Sequence, residues 1–431
     1  MGHINTKAAY KQLQGRLDKM PIGAPANRAL FEILEELFSP EEARVAAGVP
    51  LGLTSARRIA ANADMDLSRA QPIIDALVAK GLLADLPRTD GRVSYFLNPT
   101  MIGFFEFTMM RVRKDIDQHK VGKLFFDYLH NDPERAFFKL IAEGETFIAR
   151  PMVHEDALAE GAYSEVLDYE KASRIIAEAG VWAEAMCYCR HVQSHVGERC
   201  DNPEDFCLSL GQGGEYLIRH GFAKPITKDR ALGVLKEARE LGLVQMADNV
   251  KKEPHFICNC CGCCCEMLAG LRLFPGPTPV VTSNYVAVIT DEQCSGCGKC
   301  ALACPIDAIE MKAAEPTEKF GKRKQAAIVD ADRCIGCAVC HRSCKVGALE
   351  MKAVGTRVHT PEDIMEKMLR QAVEHGKLQN LIFSDPTKLT HRMLGTIMGA
   401  IVNLPPTKRL LAQEQIKSKF LDAVLTLAPK P

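Results

Sequence analysis

The sequence predicts an α+β multidomain chain, and three observations carry that expectation. Helical periodicity over residues 28–80 gives way to a two-residue alternation around Asp90-Gly91; eight cysteines between Cys294 and Cys344 fall in a duplicated unit; and a denser cysteine region lies among segments of helical period. At 431 residues, with about 150 residues to a domain, two to four domains are expected. The pattern divides into a tail (1–25), a helix-and-hairpin domain (26–99), a helical connector (100–180), a helical Cys-rich domain (181–275), the duplicated unit (276–355) and a helical C-terminal region (356–431). Hydrophobic residues make up 47%, enough for several cores. The 54 basic and 54 acidic side chains balance, which leaves no net pull toward nucleic acid or an anionic membrane.

Residues 1–6 lack the apolar core of a signal peptide, and the most apolar late stretch, 393–404, is too short to span a bilayer. Eighteen cysteines gathered in tight groups then predict a reducing, cytoplasmic setting in which thiolates persist, rather than a disulfide framework.

In residues 28–38, Leu30, Ile33, Leu34 and Leu37 share one helical face. A second short helix is expected over 55–63. A third begins at Asp66 or Ser68, tolerates Pro72 near its first turn, turns Ile73, Ile74, Leu77 and Val78 inward and stops at Gly81. Residues 82–86 and 93–97 then read as a hairpin turning at Asp90-Gly91. This order resembles the winged helices of bacterial regulators, which implies DNA binding as one use. The third helix offers only Arg69, Gln71 and Lys80, and the wing Arg88 and Arg92, a thin set for neutralising phosphates and reading bases. The sequence therefore argues for protein docking or scaffolding and against a nucleic-acid partner. In the connector, Phe104, Phe105 and Phe107 read as core, and Arg111, Arg113 and Lys114 as a solvated face.

The Cys-rich domain holds ten cysteines in two groups: Cys187, Cys189, Cys200 and Cys207, then Cys258, Cys260, Cys261, Cys263, Cys264 and Cys265. Between them Thr227 or Asp229 caps a helix with Leu232, Leu235, Ala238 and Leu241 on one side and Gly242 at its end. A helical hairpin of this kind would return the second group onto the first. Adjacent side chains on extended backbone diverge, so the Cys263-Cys264-Cys265 run is expected to serve two sites. His191 and His195 lie four apart beside Cys189; they read as surface residues, with iron ligation or proton relay as the alternative.

The duplicated unit contains the run Cys294, Cys297, Cys300, Cys304, followed by Pro305, and the run Cys334, Cys337, Cys340, Cys344, followed by Lys345, offset by 40 positions. Each reads C-x2-C-x2-C-x3-C. Soft thiolates suit iron and sulfide, and this spacing lets one loop hold three corners of a cubane while the fourth comes from elsewhere. Zinc sites more often use two separated pairs than four cysteines in eleven residues. The flanks repeat too: Val288 matches Ile328, Ile289 matches Val329, and residues 308–312 match 348–352. Each half therefore reads as strand, loop, short helix, strand.

This stretch closely resembles the bacterial-type 2[4Fe-4S] ferredoxins. The resemblance implies a ferredoxin-like domain with two [4Fe-4S] clusters, one held by Cys294, Cys297, Cys300 and Cys344 and the other by Cys334, Cys337, Cys340 and Cys304. Lys345 departs from the proline commoner there. Against that background, the ten remaining cysteines are expected to build one or two additional iron–sulfur clusters jointly from both groups. Cys260-Cys261-Gly262 also resembles the signature of heterodisulfide-reductase-type subunits with noncubane clusters, without that family's flanking spacing. The whole arrangement resembles a group of winged-helix, ferredoxin-domain proteins of anaerobic bacteria, marked by the Cys-Tyr-Cys-Arg-His segment at 187–191 and Ile-Cys-Asn-Cys-Cys-Gly-Cys-Cys at 257–264.

Beyond Met351, Thr360-Pro361-Glu362-Asp363 opens a helix with an apolar stripe of Ile364, Met368, Ala372 and Val373. A further helix over 389–404 stops at Pro405-Pro406, and a basic amphipathic stretch, 408–425, is expected to pack on the body, with peripheral membrane contact as the alternative. The function expected is single-electron transfer through two cubanes and at least one further cluster within an anaerobic oxidoreductase system. Lys299, Arg333, Arg342 and Lys345 near the loops are expected to raise the potentials slightly. Partners of matching chemistry are a flavoprotein, a hydrogenase-like enzyme or another ferredoxin. The alternatives are a reductase with an open-coordination cluster in 187–265 and a redox-sensing DNA-binding regulator. The absence of a G-x-G-x-x-G fingerprint argues against direct NAD or ATP chemistry.

Overall fold

A computed structural model describes residues 2–142, 144–158, 167–273, 281–355, 357–383 and 389–402. The chain forms two compact units, Met1–Thr146 with Ile364–Pro431, and Phe147–Asp363. Among the described residues no helix is long and apolar enough to cross a membrane.

The first unit opens with helices Gly2–Asp18, Arg28–Leu37, Pro40–Ala47, Ala56–Asn62 and Leu67–Ala79. They lead into an antiparallel hairpin of β1 (Leu83–Pro87) and β2 (Val93–Leu97), in register from Leu83↔Leu97 to Pro87↔Val93. Leu30, Ile33, Leu34 and Leu37 are buried, as their spacing requires. In the helix Leu67–Ala79, Ile74, Leu77 and Val78 are buried, while Ile73 is only half-buried. The helix Pro40–Ala47 was not anticipated, although Ser39-Pro40-Glu41-Glu42 spells its start. Ser39 accepts from the Glu42 N–H, and the Glu42 carboxylate accepts from the Ser39 N–H at 2.8 Å. Ser39→Ala is expected to cost about 1 kcal/mol, read as a lowered denaturation midpoint of this unit.

Phe104 and Phe105 are fully buried, with Phe105 packed against Phe104, Phe125, Tyr128 and Phe137, so these two connector aromatics are core, whereas Phe107 is only half-buried. Arg113 departs from the solvated face expected: its side chain is buried and grips Asp115 at 2.5 Å. The helix Ile364–Glu374 buries Leu369, Ala372 and Val373 against Leu378 and exposes Ile364, so its apolar stripe is turned from the one the spacing implied. The helix Leu389–Val402 is present. Residues 408–425 lie outside the described residues.

In the second unit the middle of the chain, expected to be helical, carries a six-stranded antiparallel sheet. Its strands are β3 (Ala149–Pro151), β4 (Trp182–Ala185), β5 (Cys207–Leu210), β6 (Ala223–Pro225), β7 (Val244–Asp248) and β8 (Phe256–Cys260), in the order β3-β7-β8-β5-β4-β6. Strands of three to five residues are too short for alternation to declare itself, and pairing rather than propensity selects them. The helix Lys228–Glu240 starts at Thr227, whose hydroxyl accepts from the Arg230 N–H, and buries Ala231, Val234, Leu235 and Ala238; Leu241 is exposed instead of inward. Return of the second cysteine group to the first runs through strands β7 and β8, not a helical hairpin.

The duplicated unit follows as β9 (Tyr285–Ile289), β10 (Ile309–Ala313), β11 (Gln325–Val329) and β12 (Leu349–Ala353). β9 pairs with β12 through Ile289↔Leu349, and β10 with β11 through Ile309↔Val329. A shift of 40 positions turns one pair into the other, so each half lends its first strand to the last strand of its twin. That exchange carries the end of each cysteine run across to the other half.

Candidate metal-thiolate centres

The exchanged strands leave two cavities. One is lined by Cys294, Cys297, Cys300 and Cys344; the other by Cys304, Cys334, Cys337 and Cys340. Each thus gathers three thiols of one run and the fourth of the other. Backbone amides point at the sulfurs: Ala308 N–H donates to Cys304 Sγ at 3.2 Å, Ala287 and Gly336 to Cys334, Val339 to Cys337 and Lys299 to Cys297. Amide donors stabilise thiolate sulfur, which fits a bound iron–sulfur cluster.

The two cavities differ in how exposed their cysteines are. Cys297 is exposed, and the Lys299 amide draws its thiol below the ordinary range. Cys337 and Cys340 are buried, and burial pushes Cys337 up to about 12 and Cys340 higher still. Of the cations near these loops, Arg333 donates to the Ile306 carbonyl and Arg342 pairs with Asp156.

The ten remaining thiols separate into six and four. Pairing of Ala185 with Cys207 sets Cys187, two residues past β4, beside Cys207. Pairing of Leu208 with Ile257 sets Cys207 beside Cys258, and Cys260 follows at the two-residue repeat of a strand face. Cys189 in the helix Tyr188–Val196 meets Cys265, which immediately precedes the helix Glu266–Leu273. The result is a ring running Cys187, Cys189, Cys265, Cys260, Cys258, Cys207 and back to Cys187, each thiol facing its two neighbours. The direction in which each thiol's pKa is moved alternates around it. Cys187 and Cys265 are held well below the usual thiol range, and Cys258 is lowered to about 6, because the neighbouring thiols donate to them. Cys189, Cys207 and Cys260, the donors, are raised.

Cys200, Cys261, Cys263 and Cys264 form a separate group in which all four sulfurs lie within 4.8 Å of one another. Cys264 donates to Cys261 and lowers it to about 5. The Cys263-Cys264-Cys265 run is therefore divided between two sets of thiols, with Cys265 alone in the ring.

Arg190 joins the two sets and was given no role from the sequence. It is fully buried, donates to the carbonyls of Pro203 (2.8 Å) and Asn259 (2.9 Å), and faces Cys187, Cys261 and Cys207. Burial works to lower its pKa, but the facing sulfurs outweigh burial and hold it above the ordinary range. Its position three residues after Cys187 is the only trace in the sequence. His191, expected at the surface, is buried and packs its ring 4.9 Å from that of His195; neither joins the group of four sulfurs.

The sulfur sites are not isolated from one another. Cys260 and Cys265 of the ring lie in the same apolar core as Cys337, together with Ile306, Ile335, Val339 and Leu268, and Cys258, Cys304 and Cys334 pack against it. Gly262 approaches Pro305 so closely that an added Cβ would stand 3.0 Å from the Pro305 Cα. Residues 293–348 match the family described as a 4Fe-4S dicluster domain. No curated protein and no solved structure matches the chain. Within 293–348 the chain thus carries a 4Fe-4S dicluster domain beside a second Cys-rich region, and it binds iron–sulfur clusters.

Proposed function

We propose that the protein is an electron-transfer component of an oxidoreductase system, in which the ferredoxin-type unit and the six-thiol ring form one relay. The observation that carries this reading is the single apolar core that takes in Cys337, Cys260 and Cys265 and has Cys304, Cys334 and Cys258 packed against it. Such a core excludes water from the gap between the sites and holds them at a fixed spacing. In this reading Cys294, Cys297, Cys300 and Cys344 hold one [4Fe-4S] cluster, Cys304, Cys334, Cys337 and Cys340 a second, and the ring a third iron–sulfur centre. When bound, such clusters supply one-electron oxidation and reduction.

The residues around each cavity set how easily negative charge is added. Amides aimed at sulfur favour the reduced state, and apolar burial opposes it. The buried site beside the ring is the harder to charge, and the Cys297 side is open to a redox partner. Leu302, 90% exposed on the short helix that carries Cys300, offers that partner an apolar contact. A flavoprotein, a hydrogenase-like enzyme or another ferredoxin has the required chemistry, and a cytoplasmic location suits the free thiols.

The helices and hairpin of the first unit support a winged-helix reading, with docking as its use. Arg69 is tied to Glu41, Lys80 to Glu42 and Arg92 to Asp90, which leaves little free charge for phosphate.

Anaerobic purification tests the function. Roughly eight irons per chain are expected from the ferredoxin-type unit alone, with additional iron from the ring, and dithionite should raise EPR signals of reduced [4Fe-4S] centres. Cys304→Ser should perturb one of the two ferredoxin-type signals and leave the other in place. A colourless preparation, or one without reducible iron, would refute the proposal.

A further inference from the structure

We propose that Cys200, Cys261, Cys263 and Cys264 bind a single zinc ion rather than an iron–sulfur cluster. The sulfurs of Cys200 and Cys261 are 3.7 Å apart, those of Cys200 and Cys264 3.6 Å, and those of Cys263 and Cys264 3.7 Å. A zinc–thiolate bond of about 2.3 Å gives a regular ZnS₄ tetrahedron an edge of about 3.8 Å. The group is therefore closed to the size of one ion.

A cubane needs more room, because each thiolate binds a different iron and the four are spread around the whole cage. The chain supplies its own comparison. The ferredoxin-type cysteines line two cavities without closing on one another. Among the described residues, only the Cys200 group brings three or more metal-ligating side chains within 4.8 Å of one another. Neither the ferredoxin-type quartets nor the six-thiol ring contracts to that size.

The surroundings match a closed structural site, in which the protein fills all four positions. Cys261 and Cys264 are buried in the core that covers one face of the six-stranded sheet. Asn202 Nδ2 donates to Cys200 Sγ at 3.3 Å, and Arg190 donates to Cys261, so polar hydrogens already face two of the sulfurs. Zinc entering here displaces the remaining thiol protons to solvent and leaves a doubly negative Zn(Cys)₄, with the Arg190 guanidinium beside it. Its work is positional: it ties the segment leading to Cys207 to the loop leading to Cys265, and so fixes two members of the ring. The proposal does not depend on what the ring binds.

The full chain, isolated without oxygen from medium containing both metals, tests this by metal quantitation and zinc-edge X-ray absorption. One zinc per chain with four sulfur neighbours at about 2.3 Å is expected. Cys263→Ser, at the exposed corner, should speed loss of zinc to a chelator at least tenfold and leave iron content and the reduced-cluster EPR signals unchanged. Absence of zinc, a single iron in its place, nitrogen or oxygen neighbours at the zinc, or loss of iron from Cys263→Ser would overturn the assignment. Should Cys263→Ser not fold, the absorption spectrum of the unsubstituted protein decides. Failure of the electron-transfer reading would appear separately, as missing reducible iron.

Discussion

Gly336→Ala is expected to empty the site formed by Cys304, Cys334, Cys337 and Cys340, removing about half of the iron held by the ferredoxin-type unit. Gly336 has φ +70°, and an added Cβ would run into the Tyr285 carbonyl oxygen and the Ser283 hydroxyl. The left-handed backbone alone costs alanine about 1–2 kcal/mol. The collision adds to this by displacing either β9 or the loop between Cys334 and Cys337, and Tyr285 cannot yield without breaking its pairing with Ala353. Gly298→Ala is the control. Gly298 has φ +72°, yet nothing but Met311 stands near an added Cβ, at 3.9 Å, and its counterpart in the second half is already alanine, Ala338, at φ +67°. It should lose stability only by the backbone cost and retain its iron. Iron and sulfide quantitation of the two purified variants checks both outcomes. Equal iron in the two would show that the loop accommodates the side chain.

The difference between Gly336 and Gly298 also marks how far the sequence can be read. The 40-residue repeat was legible, and with it the halves, because cysteine spacing and flanking apolar residues recur in step. Which glycine is obligatory was not, since that depends on the approach of a strand from the other half. The same division holds elsewhere. The helix faces of residues 28–38 and the Asp90-Gly91 turn follow from local period and turn chemistry, whereas β3 to β8 are short segments whose pairing is set by tertiary contact. The Cys263-Cys264-Cys265 run does serve two sites, but not through the divergence of adjacent thiols: residues 262–264 form a turn that brings the neighbours Cys263 and Cys264 together and leaves Cys265 to the ring. The sequence could not reveal that Cys187 and Cys207 meet Cys258 and Cys260, because the register of β4, β5 and β8 brings them together. Nor could it reveal Arg190, since an arginine beside cysteines reads as solvated until the fold buries it.

Arg190→Met is expected to be the most damaging single change outside the cysteines. The guanidinium is the cation that faces Cys187, Cys207 and Cys261, and it also satisfies the carbonyls of Pro203 and Asn259. Methionine fills much of the volume but removes the cation that faces these buried sulfurs and leaves the buried Asn259 carbonyl and the part-buried Pro203 carbonyl without this donor. Removing one partner of a buried ionic arrangement costs about 3–5 kcal/mol, far more than a paired surface charge contributes. The loss should fall on the second unit, with metal lost from both the six-thiol ring and the Cys200 group. The ferredoxin-type cavities, whose sulfurs are served by their own backbone amides, should keep their iron. Arg190→Lys should lie between: it retains the charge, but a single ammonium lacks the planar fork that reaches Pro203 and Asn259 together. Urea unfolding of the anaerobic protein, with metal content of each variant, measures both effects. If Arg190→Met matched the parent in stability and metal, the thiolates would have to be neutralised by something other than this arginine, and the link between the two groups of thiols would fail.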